Sequence, residues 1–66
     1  MNSKLLKVKL FEKGMSYEDC SIKLGISKTA FSTKVNDINK FKVNEVNRLS
    51  ELLMLTRDEK CDIFLN

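Results

Sequence analysis

Apolar residues recur along this chain at helical rather than alternating spacing, in five short blocks set apart by small or polar residues. The first block predicts a helix from about residue 3 to residue 13, with Leu6, Leu10 and either Val8 or Phe11 on its inner face. The second, residues 17–24, turns Cys20 and Leu24 inward with Ser21 as a small contact residue. A third covers residues 28–36 around Phe31. The fourth, residues 43–53, places Val43, Val46, Leu49, Ser50 and Leu53 at helical spacing, and the last carries Ile63 and Phe64. Residues 36–42 read as a polar loop anchored by Ile38 and Phe41, and strand signals are weak throughout.

The punctuation between blocks is specific. Gly14-Met15-Ser16 and Gly25-Ile26-Ser27 each read as helix stop, hydrophobic anchor, helix start. Glycine closes a helix in the left-handed conformation, and serine caps the next by accepting from a free backbone N–H. Ser16 with Asp19 is a weaker capping box, and Thr56 with Glu59 a proper one. The chain is therefore expected to be all-α, with a helix, a glycine turn and a second helix between Tyr17 and Asn36.

Composition narrows the chemistry. Sixty-six residues make one domain with a small core. Histidine is absent, and Cys20 and Cys61 stand far apart without CxxC spacing, so neither a metal nor any other cofactor is expected. A disulfide between them stays open beside the favoured reading of two reduced, partly buried thiols. There is no glycine-rich phosphate loop, and acids such as Glu18-Asp19 and Asp58-Glu59 suit helix starts, so no enzyme is expected. The opening residues resemble neither a signal peptide nor a membrane span, which predicts a cytoplasmic protein with no membrane partner and no small-molecule ligand. Net charge is +3, unevenly spread: nine lysines meet four acids up to Lys42, whereas three cations meet five acids beyond it. A basic front suits a polyanionic partner, although ordinary solvated lysines would look the same.

The run Lys13-Gly14-Met15-Ser16-Tyr17-Glu18, the run Lys23-Leu24-Gly25-Ile26-Ser27-Lys28-Thr29, and Asn36 at the end of the third block resemble the lambda-repressor-like helix-turn-helix family. That family includes phage repressors, Cro proteins and small bacterial regulators, and residues 41–56 are similar to the fourth helix and following turn of its phage members. The resemblance covers nearly the whole chain. It implies a compact five-helix domain that reads double-stranded DNA with its third helix, as a homodimer on a palindromic operator. It also implies base-edge contacts from Lys28, Thr29 and Thr33, with Ser32 beside them. Phosphate contacts are implied for Tyr17, Ser27, Lys34, Asn36, Lys40 and Lys42. Tyr17 stands where the family usually has Gln, Asp37 where it has Gly, Lys34 where it has an apolar residue, and Met54 where it has Gly or Asn. Val35 is expected to take over the packing that Lys34 gives up. The dimer contact is expected from Met54, Arg57, Ile63 and Phe64. The alternative is a module of the same fold that binds another regulator through its C-terminal segment rather than DNA.

Overall fold

The computed structural model describes residues 2–65. It holds five α-helices and, among the described residues, no strand: α1 Ser3–Glu12, α2 Tyr17–Leu24, α3 Lys28–Asn36, α4 Val43–Leu52 and α5 Arg57–Phe64. One 3-10 turn, Ile38–Lys40, interrupts the expected loop between α3 and α4 and buries Ile38. The helices pack into a body of 27 × 23 × 20 Å.

Three of the four connections are the same device. Residues Gly14, Gly25 and Met54 have φ of 66°, 72° and 53°. In each case the next N–H reaches back five residues: Met15 donates to Leu10 O, Ile26 to Ser21 O and Leu55 to Ser50 O, all at 3.0 Å. These are Schellman closures, and they satisfy carbonyls that the helix end would otherwise leave bare. The side chains of Met15, Ile26 and Leu55 then plug the turn against the core. Ser16, Ser27 and Thr56 cap the following helix by accepting from the N–H of Asp19, Ala30 and Glu59. No atom stands within 4 Å of a Cβ built on Gly14 or Gly25, so conformation rather than space selects glycine there.

Met54 adopts the same left-handed geometry with a side chain that is 79% exposed. A non-glycine residue in that region costs about 1 kcal/mol, and glycine gives back part of this through its freer unfolded chain. Met54→Gly is therefore expected to stabilise by about 0.5 kcal/mol and to raise the melting temperature by about 2–4 °C. A thermal melt that fell instead would place the side chain in packing the structure does not contain.

The core joins all five helices through Leu6, Leu10, Cys20, Leu24, Phe31, Val35, Leu49, Leu53 and Ile63, with Ile38, Phe41 and Phe64 at its lower edge. Its backbone is a row of edge-to-face rings, Tyr17–Phe31–Phe41–Phe64, with centroids 5.4, 5.9 and 5.9 Å apart. Val35 is fully buried, as expected of the residue beside Lys34.

Two inner-face expectations are corrected. Val8 and Phe11 are both exposed, at 45% and 87%. At about 100° per residue they lie on the far side of α1 from Leu6 and Leu10, and Leu5 packs on the core instead. Val43 is 79% exposed because it opens α4 beyond the core edge, where Glu45 takes the buried place. Lys9, on the inner arc of α1, bridges Glu12 and reaches Glu59 on α5. That ammonium, with the Thr56 N–H behind it, pulls the Glu59 carboxyl down to about 2.

Candidate nucleic-acid interface

At about 100° per residue, Lys28, Thr29, Ser32, Thr33 and Asn36 fall within one arc of about 140° on α3. Phe31 and Val35, fully buried, and the half-buried Ala30 and Lys34 fill the rest of the helix circumference. With that face packed inward, and Lys34 held on it by Glu45, the polar five turn outward. Lys28, Thr29, Thr33 and Asn36 are exposed and Ser32 is half-buried. Two of the five have committed a donor to the helix itself. The Thr33 hydroxyl donates to Thr29 O at 3.0 Å, and the Asn36 amide donates to Ser32 O at 3.1 Å.

The helix begins in the turn at Gly25. Ser27 Oγ accepts from the Ala30 N–H at 3.0 Å, which leaves the other N–H groups of the first turn without a side-chain cap. Of the three helices that open from the shared turn, α2 carries Glu18 and Asp19 in its first turn and α5 carries Asp58 and Glu59. Such acids offset the positive end of the helix dipole. The first turn of α3 has none and bears Lys28 instead. That end is left electropositive. Lys40 and Lys42 are exposed beyond the far end of α3 and, with Lys28, make no ion pair among the described residues.

Lys34 is a correction. Its ammonium donates to both carboxylate oxygens of Glu45 at 2.7 Å, with the two side chains only 17% and 8% exposed. Lys34 faces α4 rather than the outward arc, so it leaves the phosphate-contact set. The reason is electrostatic: a carboxylate in this buried position requires a counter-charge. Burial pushes the Glu45 carboxyl up, but the Lys34 ammonium and the Lys42 backbone N–H, 2.9 Å from Oε1, outweigh it and hold it below the usual range. Tyr17 is half-buried at the start of α2, with its ring edge-on to Phe31.

The expected dimer residues divide. Ile63 and Phe64 are 0% and 3% exposed and belong to the core, which corrects Ile63 out of a surface contact and leaves Phe64 only an edge toward solvent. Helix α5 needs them to bury itself. Met54 and Arg57 are exposed. Sequence reasoning missed an apolar groove of about 330 Å³ between the 3-10 turn, α4 and α5. Ile38, Phe41, Val46 and Phe64 line it together with the largely exposed Val43 and Leu65. The only hint in the chain was the apolar pair Ile38 and Phe41 inside a polar loop.

Other chemistry is sparse. Both cysteines are free thiols, and burial first, then the Asp19 charge, pushes the Cys20 thiol up to about 11, which keeps it protonated and unreactive. Among the described residues no group of three His, Cys, Asp or Glu stands ready for a metal, and no helix is long and apolar enough to cross a membrane. No family model, curated protein or solved structure matches the chain.

Proposed function

We propose that the protein is a sequence-specific DNA-binding regulator, in which α2 and α3 form a helix-turn-helix of the lambda-repressor-like kind and α3 enters the major groove. The observation that carries this reading is the acid-free, lysine-bearing start of α3, against the acid-neutralised starts of α2 and α5. A helix end left positive beside exposed lysines suits a phosphate backbone. In this reading Lys28 donates to guanine O6 and N7, with Thr29, Ser32 and Thr33 along the same base edges. Ser27, which accepts from Ala30 and keeps its own proton to donate, contacts phosphate with Tyr17, Asn36, Lys40 and Lys42. A short recognition helix reads few base pairs, so two copies on a palindromic site complete the specificity, as in small phage-type regulators of the cytoplasm.

Selection from a random duplex pool tests this directly. A single enriched, palindromic motif is expected, with affinity falling steeply as salt rises. On the winning duplex, Lys28→Ala is expected to relax preference at one base position at a cost of about 1–3 kcal/mol. Lys40→Ala should weaken all sequences alike and flatten the salt dependence by about one phosphate. Sedimentation of the complex should show two chains per site. A second reading, a module that binds another regulator, is favoured by the apolar groove beside α5. A pool without enrichment, combined with weak salt dependence, would select it.

A further inference from the structure

The outward arc of α3 changes character along its length. Its first turn offers the Lys28 ammonium and the Thr29 hydroxyl. One turn on, the Thr33 hydroxyl is turned back onto the Thr29 carbonyl at 3.0 Å although the residue is exposed. A threonine has two heavy atoms on Cβ, so an oxygen held against the preceding turn fixes χ1 and sends the methyl elsewhere. Its single proton is spent within the helix. What remains for a ligand at Thr33 is a methyl group and an oxygen that can only accept. The next residue on the arc, Asn36, has likewise returned one donor to Ser32 O.

Resting on the DNA-binding reading above, we propose that Thr33 is a methyl reader: it selects a 5-methylated pyrimidine, thymine in ordinary DNA, through apolar contact rather than a hydrogen bond. The chemistry of the major groove supports the choice. Thymine presents a methyl there and cytosine an amino donor, while both purines present N7 as an acceptor. A committed hydroxyl has no proton for the purine acceptors. The Thr33 methyl can pack on the thymine methyl, whereas the acceptor left on its oxygen would instead suit an amino group of cytosine or adenine, and the uracil series below decides between the two.

The proposal separates hydroxyl from methyl, and so does its test. In the duplex enriched from the random pool, each thymine in turn is replaced by uracil, which deletes the 5-methyl and nothing else. For the parent protein one such position per half-site is expected to lose affinity about fourfold, the worth of one buried methyl. Cytosine at that pair should bind poorly, and 5-methylcytosine should recover a similar factor. Thr33→Val keeps a methyl and is expected to retain the uracil penalty. Thr33→Ser keeps the hydroxyl and is expected to lose it. Both variants alter an exposed side chain, and matching thermal melts show that they are folded. The proposal is overturned if Thr33→Ser stays as sensitive to uracil as the parent, if Thr33→Val becomes insensitive, or if no thymine position responds. Failure to bind any duplex would overturn the DNA-binding reading itself, whereas binding without the uracil effect removes only the methyl contact.

Discussion

Phe31→Ala is expected to leave the chain largely unfolded in plain buffer. Phe31 is completely buried, sits at the middle of the row of rings, and meets Tyr17 and Phe41 edge-on at 5.4 and 5.9 Å. Truncating a buried phenylalanine costs about 3–5 kcal/mol through lost transfer energy and the cavity left behind. Two lost aromatic pairs add roughly 0.5–1.5 kcal/mol each. A domain of this size has only about 3–10 kcal/mol in total. The loss is therefore comparable with everything that holds the fold. Urea titration followed by circular dichroism measures it, and a cooperative transition near the parental midpoint would show that the ring row is not the centre of the core. Phe31→Leu keeps most of the volume and should cost far less, about 1.5 kcal/mol. The contrast separates cavity from chemistry.

Lys34→Met should produce a loss of similar size by a different route. The substitution removes the only ion-pair partner that Glu45 has among the described residues, while Glu45 itself is 6% exposed. Breaking one side of a buried pair costs about 3–5 kcal/mol, because the remaining charge is stranded. The double variant Lys34→Met/Glu45→Gln strands no charge and keeps an acceptor for the Lys42 N–H, so it should recover most of the loss. Acid adds a sign test. In the parent the folded Glu45 carboxyl lies below its unfolded value, so the pair stabilises above the ordinary carboxylate range and its contribution fades as pH falls through the folded value. Without Lys34, burial dominates and the folded carboxyl rises above the unfolded one. The sign then reverses. The gap between parent and Lys34→Met should narrow as pH drops through about 4. A gap independent of pH would mean that lost packing, not a stranded carboxylate, explains the damage.

These two residues also mark how far the fold could be read from the chain. Phe31 and its turn were legible because their signals are local: Gly25, Ile26 and Ser27 stand next to each other, and the caps at Ser16 and Thr56 reach only three residues. Helix bounds came within one residue at the ends of α1 and α4. Lys34 was misread because its partner is eleven residues away and nothing in the pattern couples them. In α1 periodicity placed Leu6 and Leu10 inward correctly, but Leu5, Val8 and Phe11 flank that pair on either side, so it could not choose the third inner residue, and packing chose Leu5. Ile63 and Phe64 are apolar in a way that suits a dimer contact or a core equally well, and only the lack of other cover for α5 decides for the core. At the candidate site, the outward arc of α3 follows from where Phe31 and Val35 stand. The commitment of the Thr33 hydroxyl does not, since it depends on a side-chain rotamer that composition and spacing leave open.

The shared turn has a consequence for how quickly the chain finds its structure. Three of its four connections are closed by hydrogen bonds that reach only three to five residues back, so little chain entropy is lost before each joint forms. The joint between α3 and α4 is also closed locally, by Lys40 N–H to Asp37 O and Phe41 N–H to Ile38 O, but it further depends on the Lys34–Glu45 pair and on Phe31 meeting Phe41. The bond from the Asn2 N–H to Ile63 O, at 2.8 Å, spans nearly the whole chain. Folding kinetics should accordingly be fast, in the range of helical domains with local contacts. The last contacts to form are then those of α4 with α2 and of α5 with α1, which close the longest stretches of chain.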